Sequence, residues 1–286
     1  LDLARLYEPK DNVEAPVPSN IVELTVPIVD EKTTIDDCKQ NPRATRSEIY
    51  QFILDDLKRA EENLNPAVTT FSQPTMMMVY GLYARTYLEL GYERSGFNKD
   101  MFAKASEYAR KVIDESGKTP LTKEQWTNPT TGFNSASSNN AWIWGLALSA
   151  ENLNNLLTYT SHISSGASWG YAAYAQFGAS QILYDAIPET DFRKLSWLGP
   201  DKDEWTSGKY RFAGSDADVQ AFLTGQGRPA AKPYTAIKFR PAQGECNDFN
   251  VGNAIDYCLM RIEEMHFIEI EAEYHLDASK GVNMLR

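Results

Sequence analysis

Residues 45–64 read Thr-Arg-Ser-Glu-Ile-Tyr-Gln-Phe-Ile-Leu-Asp-Asp-Leu-Lys-Arg-Ala-Glu-Glu-Asn-Leu. Thr45 followed three residues later by Glu48 is a capping box, in which each side chain satisfies an amide that the first turn of a helix leaves free. Ile49, Phe52, Ile53, Leu57, Ala60 and Leu64 then recur at steps of three and four, while Asp55, Lys58, Arg59 and Glu62 take the wet side. Pro66 closes the helix. Working outward, the same period predicts helices from Pro74 to Leu90, with Met77, Tyr80, Ala84, Tyr87 and Leu88 on one face and Gly91 as a stop, and from Lys99 to Glu115, with Phe102, Ala105, Ala109, Val112 and Ile113 inside. A fourth is predicted over Asp256–Leu276, carrying Leu259, Ile262, Met265, Phe267, Ile268 and Ala272. Small alanines on consecutive helices permit close pairing. The expectation is a mainly α fold of tetratricopeptide-like helix pairs, although no clean 34-residue self-match is present.

Upstream, residues 8–44 read as a linker, because Pro9, Pro16, Pro18, Pro27 and Pro42 block helix; short edge strands between Ile21 and Val29 are the most it offers. Leu1–Tyr7 reads as the last turns of a helix and Lys280–Arg286 as the start of another element, so the chain is taken as a fragment. Downstream, residues 117–235 turn rich in Gly, Ser, Thr, Asn and aromatics. Trp142, Trp144, Leu146 and Leu148 alternate like a strand, Ser180 caps a short helix from Gln181 to Ile187, and 210–212 and 235–239 suggest brief strands. All six tryptophans (126, 142, 144, 169, 197 and 205) fall in this stretch. Large aromatics in a loop-rich segment either fill a small core or offer their faces to a ligand.

The 286 residues leave room for one large domain or two modest ones, with a core that needs no disulfide. The 28 Lys and Arg against 39 Asp and Glu give a net charge of −11. That balance argues against a general nucleic-acid binder and makes a neutral or cationic ligand easier than an anionic one, though net charge does not decide a local site. No apolar run approaches the ~18 residues of a membrane span. Cys38, Cys246 and Cys258 fit neither a disulfide framework nor a CxxC site; one pair could bridge in an oxidising compartment, leaving one over.

Five pieces of the chain, in order, resemble the SusD/RagB family. They are Leu1–Leu6 before the proline-rich segment; the Thr-Arg-capped helix from Arg46 to Leu64; Tyr83-Ala84-Arg85-Thr86-Tyr87-Leu88; Tyr184-Asp185 with Asp191-Phe192-Arg193; and the stretch from Asp256 to Glu273. The last is similar to the signature helix, with Cys258 where the family usually has proline and Glu271-Ala272-Glu273 in place of Ala-Glu-Ala. The resemblance implies a single SusD-like domain over 1–286, incomplete at both ends, with a helical scaffold at 45–116 and 256–286 and a loop-rich binding segment at 117–240. It also implies a non-catalytic lipoprotein on the extracellular face of the outer membrane of Bacteroidetes, anchored through a missing lipidated N-terminus. Such a protein captures oligo- or polysaccharide and delivers it to a SusC-like TonB-dependent transporter. The alternative is a helical protein-interaction scaffold without glycan binding, which would expose apolar residues on helix faces and not on the loops.

Several constellations invite chemistry. Gly166-Ala167-Ser168-Trp169-Gly170 matches a nucleophile elbow, with His266 or His275 available as base, but polar Ser161–Ser165 precedes it where the motif needs a buried strand. Glu263-x-x-His266 is half of a di-metal motif without its second half. Asp201-Lys202-Asp203-Glu204 begins like a calcium loop, with Thr206 where glycine is needed, so structural calcium is the one cofactor considered. Glu263, Glu264, Glu269, Glu271 and Glu273 crowd one helix, which reads as a solvated or salt-bridged face, with Arg261 paired to one of them. No enzyme is expected. The ligand-binding side chains are expected among Trp142, Trp144, Trp169, Tyr171, Tyr174 and Trp205, with Asn139, Asn140 and Gln176 nearby in sequence to hold hydroxyls. Of these, Trp169, Tyr171 and Tyr174 have few apolar neighbours in sequence and are the better candidates for exposure.

Overall fold

The computed structural model describes residues 1–9, 16–153 and 156–285; residues 10–15 of the linker and Arg286 of the terminal element lie outside them. In chain order come α1 (Asp2–Tyr7), α2 (Ile35–Cys38), α3 (Arg46–Asn63), α4 (Met76–Gly91), β1 (Tyr92–Glu93), β2 (Gly96–Phe97), α5 (Lys99–Glu115) and α6 (Lys123–Thr127). They are followed by β3 (Trp142–Leu146), α7 (Tyr159–Ile163), α8 (Gln181–Ala186), α9 (Asp216–Thr224), α10 (Phe249–Gly252), β4 (Tyr257–Arg261), α11 (Ile262–Leu276) and α12 (Ala278–Leu285). The fold is mainly α, with two small antiparallel pairs, β1–β2 and β3–β4. The chain groups into two compact units, Leu1–Gly117 with Glu264–Arg286, and Lys118–Glu263.

The first unit is built on α3, α4 and α5. The Thr45–Glu48 capping box forms as read, with Thr45 Oγ1 accepting from Glu48 N at 3.2 Å and Glu48 Oε2 accepting from Thr45 N at 2.8 Å. Ala84 of α4 and Ala105 and Ala109 of α5 are wholly buried. Gly91 ends α4 where a Cβ would stand 2.5 Å from the Phe102 ring, so only glycine lets α5 in so close. Beside this contact the rings of Tyr83, Tyr87 and Tyr108 stack, with Tyr83 4.5 Å from Tyr108. The 16–44 segment is fastened largely to its own C-terminal end: Arg43 donates to the carbonyls of Leu24 and Thr25 and, outside the segment, of Tyr7, and residues 24–26 pair with 44–45 in place of the expected edge strands.

Of the α11 glutamates, expected as a solvated or salt-bridged face, most are engaged and buried or half-buried, while Glu271 is exposed. Glu264 makes a two-point salt bridge with Arg85, Glu269 with Arg110, Glu273 accepts from Ser106 and Lys280, and Glu271 accepts from the Tyr92 hydroxyl. Met265, Ile268 and Ala272 are buried on the stripe that the helical period places between the Glu264–Glu271 edge and the Glu269–Glu273 edge. The acids therefore bolt α11 to α4 and α5, the salt-bridged half of the expectation.

The predicted 256–276 helix starts six residues late. Tyr257–Arg261 is β4, antiparallel to β3, with Trp144 opposite Met260 and Leu146 opposite Tyr257. Tyr-Cys-Leu-Met is a short apolar run that strand and helix fit equally, and the waiting partner β3 decides it. Asp256 fastens the entry by accepting from Ala136 N and Leu148 N, and Ile262 N leaves by donating to Ala141 O. In the same unit the predicted strands 210–212 and 235–239 do not form: 210–212 is irregular, and of 235–239 only Thr235 and Ala236 make isolated bridges, to Gly178 and Trp197.

Candidate functional site

The second unit presents an aromatic surface over residues 157–177, and the backbone beneath it is rigidly tied. Thr158 caps α7 by accepting from Ser161 N, and its own hydroxyl donates to buried Asn253 Oδ1 at 2.7 Å. A Cβ at Gly170 would meet Ser161 O at 2.7 Å, so glycine lets the chain close back on α7. The following turn, Tyr171–Ala173, buries Ala172 and Ala173 and leaves Tyr171 48% and Tyr174 65% exposed. Small anchors inside and large rings outside are what a platform requires. His162 stacks on Tyr171 with centroids 4.9 Å apart and 16° between planes, which holds that ring face-parallel. Phe177 is exposed as well, while its carbonyl accepts from Ala236 N at 2.7 Å. Tyr159, half exposed, stands edge-on to Phe239 and Tyr257.

The six expected side chains separate. Tyr171 and Tyr174 lie on the surface. Trp142 is 1% and Trp205 3% exposed, so both are core and not platform. The expected shared face of Trp142 and Trp144 is broken by register shifts in β3, which leave Trp144 half-buried. Trp169 is also half-buried: its indole lies against Gly252, where a Cβ would come within 2.7 Å of Cζ2. The amides proposed for sugar hydroxyls are engaged elsewhere. Gln176 donates to the Pro229 and Ala230 carbonyls and accepts from Thr235, and Asn139 caps its own turn through Ser135 O and Ala141 N; Asn140 accepts from Lys118 Nζ. Sequence reasoning missed His162, Tyr159 and Phe177. The stacking partner of Tyr171 lies nine residues away and becomes its neighbour only through the close approach at Gly170.

Trp126 is occupied by protein cations. Lys238 lies 5.0 Å and Arg261 5.3 Å from its ring centroid, and both also face Phe133. Burial, with the like charge of Arg261, pushes the Lys238 amine down to about 8. Ser168 occupies a loop with no strand before it, and its hydroxyl donates to Cys246 O at 2.8 Å, so this GxSxG is not a nucleophile elbow. Glu263 pairs with Arg261 at 3.0 Å and accepts from Leu121 N. Asp201 accepts from Asp203 N, and Glu204 pairs with Lys209. Among the described residues no group of three or more His, Cys, Asp or Glu is placed to hold a metal, no helix is long and apolar enough to cross a membrane, and all three cysteines are free.

No family model and no curated protein matches the chain. Solved structures do. A SusD-like carbohydrate binding protein from Bacteroides vulgatus aligns with a TM-score of 0.63 at 21% identity over 92% of this chain and 47% of that one. A SusD superfamily protein from Parabacteroides distasonis aligns with 0.62 at 20% identity, over 88% of this chain and 51% of that one. Surface glycan-binding protein A from Bacteroides thetaiotaomicron, in complex with laminarihexaose, aligns with 0.55 at 12% identity, over 85% and 54%. The fold is thus the SusD-like one, and the chain spans about half the length of the structures it matches.

Proposed function

We propose that the chain is the glycan-binding part of a SusD-like protein of the Bacteroidetes cell surface, without catalytic activity, and that it hands captured saccharide to a SusC-like TonB-dependent transporter. The observation that carries the reading is the Tyr171–Tyr174 surface with His162 stacked behind it, on a fold shared with carbohydrate-binding proteins. A pyranose ring offers C–H groups on one face, and an aromatic face open to solvent binds them without charge, which suits a chain of net −11. The same likeness supports lipid anchoring and the transporter partner. In native membranes of the source organism the full-length protein is expected to co-purify with an outer-membrane transporter; recovery from the soluble periplasm alone would contradict both.

The binding surface is tested by affinity electrophoresis against a panel of neutral polysaccharides. Tyr171→Ala and Tyr174→Ala are each expected to weaken the best ligand by roughly 1–3 kcal/mol, the usual worth of an aromatic anchor or stacking partner. Both rings are about half exposed or more, so the melting temperature is expected to stay within a few degrees of wild type. Undiminished binding by the double variant would remove this surface from the reading.

A further inference from the structure

Arg240 is 5% exposed, yet no carboxylate among the described residues pairs with it. Its Nη1 donates to Thr127 O at 2.9 Å, and its Nε has no hydrogen-bond partner among those residues. The charge that bears on it most is a like one, Arg211. A buried cation without a counter-charge is costly, and proteins keep one chiefly where an anion completes it. The adjoining cavity of about 20 Å³, which Arg240 also lines, has room for a water to satisfy an N–H but not for a charge.

Arg240 also lines a separate cleft of about 410 Å³. Lys123, Lys209 and Arg211 line the same cleft, and Glu124 is its one lining carboxylate. Arg211 is paired to Glu124 at 2.5 Å and Lys209 to Glu204 at 2.6 Å, whereas Lys123 has no ion-pair partner among the described residues. Two cations, one buried and one at the surface, are therefore left over in a chain of net −11. That overall charge repels polyanions at long range, so a single anionic group on an otherwise neutral ligand fits better than a nucleic acid. A guanidinium with unused N–H groups matches the planar or trigonal oxygens of a carboxylate or sulfate.

We propose that the cleft lined by Arg240, Lys123, Lys209 and Arg211 binds the oxyanion of an acidic saccharide, a uronate carboxylate or a sulfate ester. That the carrier is a saccharide rests on the function proposed above; the oxyanion site rests on the unpaired cations alone.

The test uses the chain as it stands and calorimetric titration with three matched probes: galactobiose, digalacturonate and 6-sulfogalactobiose. At least one acidic probe is expected to bind tenfold or more tightly than the neutral one, and the acidic probe preferred identifies the oxyanion. Lys123→Gln, at an exposed position, should weaken that probe at least threefold and leave the melting temperature in place. Arg240→Gln should abolish the preference, and because it removes an uncompensated charge it should fold. If it does not fold, Lys123→Gln and the loss of affinity between 50 and 500 mM salt carry the test. Equal affinity for all three probes, or an acidic preference untouched by Lys123→Gln and by salt, overturns the site. Neutral glycan binding lost in Tyr171→Ala without any acidic preference would overturn this inference and leave glycan capture standing. Acidic binding lost in Lys123→Gln but kept in Tyr171→Ala would do the reverse to the aromatic surface.

Discussion

Arg110→Ala is expected to cost the protein roughly 3 kcal/mol of stability, the lower end of what breaking a buried ion pair costs. Glu269 is 6% exposed and takes both oxygens to Arg110, at 2.8 Å from Nε and 2.5 Å from Nη2. Without the guanidinium the carboxylate stays in a nearly dry site, and among the described residues Arg110 is the one side chain that hydrogen-bonds to it. The arginine itself is 45% exposed, which admits some water to the pair and argues for the lower end of the range. The second partner of Arg110, Asp114 at 3.4 Å, is 61% exposed, so Asp114→Ala is expected to change stability by less than about 0.5 kcal/mol. Removing both halves at once, as Arg110→Met with Glu269→Leu, should recover much of the loss, because the cost comes from an orphaned charge and not from the absence of a pair. Denaturant unfolding of the four proteins decides it. An Arg110→Ala protein within about 0.5 kcal/mol of wild type would show that Glu269 finds water or another donor.

The helices α3, α4 and α5 were legible because each signals itself locally. A cap, an apolar stripe and a stop lie within one element, and Thr45, Glu48 and Gly91 act where the pattern puts them. The β4–α11 junction was not legible, since the state of Tyr257–Arg261 depends on β3, more than a hundred residues upstream. Helix α9 was missed although its signals were present. Ser215 and Asp218 form a capping box and Gly225 closes it at φ +84°, but the surrounding Gly- and Ser-rich composition masked so short a run. Burial of the tryptophans was illegible for a different reason. Alternation in a strand assigns faces only while the register holds, and the bulges in β3 undo it, so Trp142 goes in and Trp144 only partly. At Tyr171 and Tyr174 the sparse apolar neighbourhood in sequence did foretell exposure. The cationic cleft had no sequence signal: Lys123, Lys209, Arg211 and Arg240 are scattered through a strongly acidic chain, and only folding shows which of them lack partners.

Trp205→Ala is expected to be the most damaging substitution in the second unit, at about 4–5 kcal/mol, the upper range for truncating a buried aromatic. Trp205 is 3% exposed in a cluster with Leu198, Tyr210, Phe222, Ala231 and Ile237. Its loss opens a large cavity among residues drawn from loops, a short turn and the nine-residue α9, with no regular sheet to close it. The indole also has a polar duty. Nε1 donates to Gly199 O at 2.8 Å, and Gly199 N donates in turn to the Tyr210 hydroxyl at 2.8 Å, so one tryptophan and one tyrosine hold both sides of a single glycine. A side chain at 199 would collide with the Tyr184 and Tyr210 hydroxyls, both 2.9 Å from the Cβ position, which fixes the spacing of this knot. Trp205→Phe fills most of the volume but leaves a buried carbonyl unpaired, and is expected to cost ~1–3 kcal/mol. The order Ala, Phe, wild type in unfolding midpoint separates cavity from hydrogen bond. The same proteins discriminate core from platform. Folded Trp205→Phe should bind a glycan ligand as wild type does, whereas Tyr171→Ala should fold as wild type does and bind poorly. A Trp205→Ala protein of near wild-type stability that has lost its ligand would return Trp205 to the binding surface from which its burial removes it.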